Sequence, residues 1–148
     1  VTQMLYRYIS RYCDEYGIAF NRESENEKNS EFNIPVRIND ILFAFIVGIK
    51  KIEEKEYFYI QVPVMEIPVG KVLLPLYRKI LEINYYLRMV SFSLQDTTIF
   101  LSYFQPLGSK TFPGSFRYSD FKDSMNRVYS ALNKYSEYLY YEFGEMDG

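Results

Sequence analysis

Residues 81–103 read LEINYYLRMVSFSLQDTTIFLSY. The stretch opens with the 3.6-residue spacing of a helix and passes Arg88. It then changes to period-two alternation, Val90, Phe92, Leu94 and then Ile99, Leu101, Tyr103, on either side of a polar turn. A helix feeding directly into a tight hairpin implies an antiparallel sheet with helices outside it, because strands joined by two or three residues can only pair antiparallel.

Working upstream, VLLPLYRKILEINYYL (residues 72–87) reads as one helix. Pro75 fits only its first turn, where the missing N–H has no intrahelical partner to lose. The helix carries two apolar stripes. Leu73, Leu76, Ile80, Ile83 and Leu87 form one, and Leu74, Tyr77, Leu81 and Tyr85 form the other, continued by Met89. Two stripes are more apolar surface than one sheet face can cover. The first is expected to face the sheet and the second a partner, with Asn84 helping to end the helix.

Before this helix come three strands. FNIPVRI (32–38) alternates, with Phe32, Ile34, Val36 and Ile38 on one side, and Asn39-Asp40 suits a two-residue turn. ILFAFIVGIK (41–50) is apolar on both faces, as a central or doubly covered strand is. KIEEKE is a charged connection. In YFYIQVPVM (57–65), Pro63 lacks a ladder donor, which predicts a strand that lies at an edge or ends there.

The N-terminal segment TQMLYRYISRYCDEYGI aligns Leu5, Tyr8, Ile9, Tyr12 and Tyr16 on one helical face, with Gly17 as its stop. Residues 21–31 contain no apolar side chain and read as a solvated loop; Glu23, Glu25 and Glu27 lack the Gly and Asp pattern of a cation loop. Residues 105–116 form a second loop, where Pro113-Gly114 suits a type II turn. The last segment, 118–143, is a long helix with Phe121, Met125, Val128, Leu132, Tyr135 and Leu139 in one narrow seam and Ser119 or Asp120 as its cap. The expected fold is α+β: an antiparallel five-stranded sheet with helices packed on it, in the order α-β-β-β-α-β-β-α, as one domain over residues 1–148.

Chemistry is hard to find. The chain has no histidine, which removes the commonest general base, the usual triads and most transition-metal sites. The lone Cys13 has no such partner and reads as a small packing residue. The seven glycines never take the spacing that cradles a phosphate. With 17 basic and 19 acidic residues, charge gives no nucleic-acid footprint, and Tyr77-Arg78-Lys79 and Lys50-Lys51 are the nearest approach to one. No apolar run is long enough to span a bilayer. The single cysteine fits a reducing cytoplasm. Neither a catalytic residue, a metal site nor a cofactor is expected. Sixteen tyrosines are another matter. Those in the first and last helices spread over more than one face, so some lie outside the core, where Tyr supplies contact area at low entropic cost.

The Leu-rich helix ending L-E-x-N, followed by x-F-S-L-x-D-x-x-I-x-L-x-Y, resembles the type III secretion chaperone-like fold. Within it the chain is most similar to the YbjN-like family, whose members are described as proposed sensory-transduction regulators. The positions that match are Leu81, Asn84, Val90, Phe92, Leu94, Asp96, Ile99, Leu101 and Tyr103. The loops at 21–31 and 105–116 are longer than in the compact chaperone pattern, and the balanced charge departs from the acidic surfaces of many such chaperones. The resemblance implies a non-enzymatic, dimeric, protein-binding domain whose second helix helps form the dimer. The expected partners are therefore a second copy and an unidentified protein, with no nucleic acid and no membrane. Leu74, Tyr77, Leu81, Tyr85 and Met89 are the candidate interface. The alternatives are a small-molecule sensor or an enzyme with a site assembled by folding, drawing on Arg37, Gln61, Arg88 and Tyr103, or a structural subunit of a larger assembly.

Overall fold

A computed structural model describes residues 2–21, 25, 28–107 and 116–144. The elements are α1 (Thr2–Tyr16), β1 (Glu31–Ile38), β2 (Ile41–Ile52), β3 (Lys55–Glu66), α2 (Leu73–Tyr86), β4 (Val90–Gln95), β5 (Thr98–Pro106) and α3 (Tyr118–Phe143), with one 3-10 turn at Gly70–Val72 before α2. This is the expected α+β order. All five strands form one antiparallel sheet in the spatial order β1-β2-β3-β5-β4.

Short turns set the register. Asn39 and Asp40 both have positive φ (52° and 66°), as a two-residue hairpin turn with the strands' own twist requires. Ile38 then pairs with Ile41, and Phe32, Ile34 and Val36 fall opposite Val47, Phe45 and Phe43. All of these side chains lie on a single face of the sheet, and all but the half-buried Ile41 are buried. Phe58, Ile60, Val62 and Val64 of β3, Ile99, Leu101 and Tyr103 of β5, and Val90 and Phe92 of β4 continue that face. The three helices cover it. Leu5, Ile9 and Tyr12 come from α1, Leu76, Ile80 and Ile83 from α2, and the seam Phe121, Met125, Val128, Leu132 and Leu139 from α3. Phe58 is at the centre, with its ring 4.8 Å from Phe116, 5.9 Å from Phe121 and 6.1 Å from Tyr103. Such aromatic pairs add about 0.5–1.5 kcal/mol each beyond their buried area.

Two buried serines of α3 and two tyrosine hydroxyls are matched by backbone carbonyls. Ser124 Oγ donates to the Asp120 carbonyl at 2.8 Å and Ser136 Oγ to the Leu132 carbonyl at 2.6 Å. This four-residue back-bond lets a serine sit on a buried helix face. Tyr8 Oη donates to the Phe116 carbonyl at 2.9 Å, and Tyr140 Oη to the Val64 carbonyl at 2.5 Å. Cys13 is buried in the core at the end of α1, where Ile18 N–H donates to its carbonyl and Gly17 takes φ 65°.

Several expectations need correction. β3 is not an edge strand but the central one, flanked by β2 and β5. Pro63 is tolerated because pairing with β2 ends at Gln61 and a bulge against β5 falls between Pro63 and Met65. β2, in contrast, lies inside the sheet as its two apolar faces predict, although Leu42 on its open face is exposed. Residues 105 and 106 belong to β5 rather than to the loop. Neither Ser119 nor Asp120 is the cap of α3; Arg117 holds that position, and Asp120 reaches back to accept its backbone N–H at 2.8 Å. Tyr16, expected on the buried face of the first helix, is largely exposed. The Pro113-Gly114 turn and residues Glu23 and Glu27 lie outside the described residues.

Candidate partner interface

α2 begins at Leu73 with Pro75 in its first turn, as the missing proline donor demands. Its inner stripe, Leu76, Ile80 and Ile83, is buried, while Leu73 and Leu87 are half-buried at the two ends. Its outer stripe is open. Leu74 is 73% exposed, Leu81 71%, Tyr85 75% and Met89 57%, with Tyr77 half-buried among them. From Leu74 to Tyr85 this strip runs about 16 Å along the helix at 1.5 Å per residue. Contiguous apolar surface of that kind on a folded chain marks a contact site more often than scattered exposed leucines do.

Three local devices hold the stripe outward. Asn84 clamps the helix to the free edge of β4: its Nδ2 donates to the Phe92 carbonyl at 3.0 Å, and Phe92 N–H donates to its Oδ1 at 2.8 Å. Asn84 therefore does more than help end the helix. Arg88 Nη1 donates to the Tyr85 carbonyl at 3.0 Å and the Leu87 carbonyl at 3.1 Å, satisfying carbonyls that the helix end leaves open. Met89 then takes φ 68° and turns the chain into β4. On the opposite flank Lys79 bonds Glu82 at 3.2 Å and lies 5.6 Å from the Tyr138 ring centre, tying α2 to α3. The Glu82 carboxylate holds the Lys79 ammonium above its ordinary range. Val69 and Tyr86 are further exposed apolar residues at the two ends of this region that sequence spacing missed. Val69 precedes the helix, and Tyr86 falls between the two stripes.

The four residues of the ligand-binding alternative are not brought together. Gln61 pairs with Ser102, so Tyr103 lies on the opposite face of the sheet from Gln61. Tyr103 is buried there, with its hydroxyl donating to Gln105 Oε1 at 2.8 Å. Arg37 is on β1, two strands away from β3, and donates to the Asp40 carbonyl at 3.3 Å. Arg88 is occupied at the end of α2. Among the described residues, no three His, Cys, Asp or Glu side chains are placed to hold a metal ion. Among them too, no helix is long and apolar enough to cross a membrane.

The sheet's open face carries a second cluster. Tyr59 lies across Gly48 and its hydroxyl donates to Glu31, while Lys50 Nζ lies 4.9 Å from the ring centres of both Tyr59 and Phe104. Burial, followed by the Glu31 carboxylate, pushes the Tyr59 phenol well above its ordinary value. These groups satisfy one another and read as architecture.

No protein-family model matches the chain, and no curated protein does. Among solved structures the chain is similar to YbjN from E. coli, described as a proposed transcription regulator, with a TM-score of 0.43 and 12% identity over 90% of this chain and 92% of that one. At that TM-score the similarity carries no inference about function.

Proposed function

We propose that the protein is a non-enzymatic protein-binding module, chaperone-like or adaptor in kind, that works as a homodimer through the outer face of α2. The observation that carries this reading is the open strip Leu74, Tyr77, Leu81, Tyr85 and Met89. The strip is nearly symmetric about Leu81, with Tyr77 and Tyr85 four residues to either side and Leu74 and Met89 seven and eight away. A two-fold axis through Leu81 sets two α2 helices antiparallel. Leu81 then meets its own copy and Tyr77 meets the partner's Tyr85, as a self-complementary interface requires. Arg78 falls opposite the partner's Asn84, so no like charges face each other across the seam.

The absence of histidine from the chain supports a role without catalysis. The single cysteine, buried in the core, suits a reducing compartment, and we infer a cytoplasmic setting from it. The test is the solution mass of the wild type against Leu81→Asp, which would bury an unpaired charge in the seam. A dimer that the substitution splits supports the reading; a wild type that stays monomeric at micromolar concentration refutes it.

A further inference from the structure

A groove of about 630 Å³ runs between α3 and the segment that leaves α2 for β4. Its apolar floor includes Leu87, Val90 and Ala131, and three cations, Arg88, Arg127 and Lys134, line it against one acid, Asp123. The groove therefore carries a net charge of +2 on a chain whose total is −2. Elsewhere Arg11, Lys51, Lys79 and Lys122 are bound to carboxylates. In the groove, Arg127 and Lys134 are in no ion pair among the described residues, and both are exposed. Arg88 uses Nη1 for the helix carbonyls, which leaves Nη2 and Nε as donors.

From this groove we infer a binding site for an extended acidic peptide segment of a partner protein, distinct from the α2 dimer face. Arg127 and Lys134 stand two turns apart on one side of α3, about 10 Å by helical rise. One small anion cannot reach both. An extended chain in the polyproline II conformation repeats every three residues and rises about 3.1 Å per residue, so two carboxylates three residues apart fall on one side about 9 Å apart and match that separation. Between the two cations, the floor at Leu87, Val90 and Ala131 takes an apolar side chain of the same segment. The ligand class is thus acid-x-x-acid with an apolar residue inside, bound by charge at both ends and by burial at the middle.

The probe is a blocked, fluorescein-labelled heptapeptide with two glutamates three positions apart and a leucine between them, titrated by anisotropy against the full chain. The expected result is saturable binding that weakens with salt. The pair Arg127→Glu and Lys134→Glu, both exposed and so replaceable without touching the core, should weaken it about tenfold or more, an effect of about 1.4 kcal/mol or more. Placing the two glutamates side by side should also weaken it. Leu81→Asp should bind the peptide as the wild type does, which separates this site from the dimer face. The inference is overturned by the absence of saturable binding, by binding that ignores the charge reversals, or by a single-stranded oligonucleotide that binds more tightly than the peptide.

Discussion

Asn84 and Phe92 are joined by two hydrogen bonds in opposite senses, side-chain amide to carbonyl at 3.0 Å and backbone N–H to amide oxygen at 2.8 Å. Phe92 lies on β4, an edge strand, and these are the backbone groups that the next strand of a larger sheet would take. One side chain on α2 thus both closes a sheet edge and fixes how the helix presents its outer stripe. Asn84→Ala should cost about 2 kcal/mol, because it leaves a partly buried donor and acceptor unmade. Urea unfolding measures the loss. Asn84→Asp should be no better than alanine, since it restores the acceptor but sets a carboxylate against the Phe92 carbonyl. Both variants should aggregate faster than the wild type, with β4's edge uncovered.

This clamp also shows where the sequence stopped being legible. Asn84 is conspicuous as the polar residue closing a Leu-rich helix, so its position was readable, but its partner eight residues later depends on how the helix folds back. Strand parity was readable throughout, because a buried face repeats every second residue. Register between distant strands was not, which is why Gln61 and Tyr103 were grouped although they occupy opposite faces. Proline misled for the same reason. The edge argument applied to Pro63 belongs to Pro35 on the true edge strand β1. The two-residue turn makes Ile38 and Ile41 exchange both ladder bonds. Alternate residues, Pro35 among them, therefore turn their backbone nitrogen outward, where no donor is needed. The two stripes of α2 were legible from spacing alone, and the buried one is the stripe expected to face the sheet.

Gly48 on β2 is fixed by close approach rather than by a turn. A Cβ there would lie 2.5 Å from Tyr59 Oη, 2.8 Å from Tyr59 Cζ and 2.7 Å from the Ser30 carbonyl oxygen. The tyrosine can swing away, but the Ser30 oxygen is backbone. Gly48→Ala should therefore destabilise by about 1–3 kcal/mol, the usual cost of overpacking. Adding Tyr59→Ala should recover less of that loss than a side-chain clash alone would predict. A double-mutant cycle on thermal unfolding reads the coupling.

Alkaline pH should unfold the protein through its buried phenols. Burial, with smaller contributions from Tyr16, Cys13 and Tyr129, pushes the Tyr12 hydroxyl from 10.0 up to about 12. A group whose folded value is raised contributes stability that is fully present below its unfolded value and lost as pH rises through the folded one. For Tyr12 that window runs from about pH 10 to 12. The urea midpoint should fall across it, and Tyr12→Phe, which has nothing to ionise, should make the fall shallower. An unchanged slope in that variant would place the alkaline loss on other tyrosines.

The central claim is that the outer stripe of α2 meets its own copy. Sedimentation equilibrium of the wild type and of Leu81→Asp at the same micromolar concentration tests it most directly. Leu81 is exposed in the isolated chain, so the substitution should leave the fold and its circular dichroism intact. The account predicts a wild-type mass of twice the 17.7 kDa chain, about 35 kDa, and a variant at 17.7 kDa. A wild type at 17.7 kDa, or a variant that remains a dimer, would contradict it.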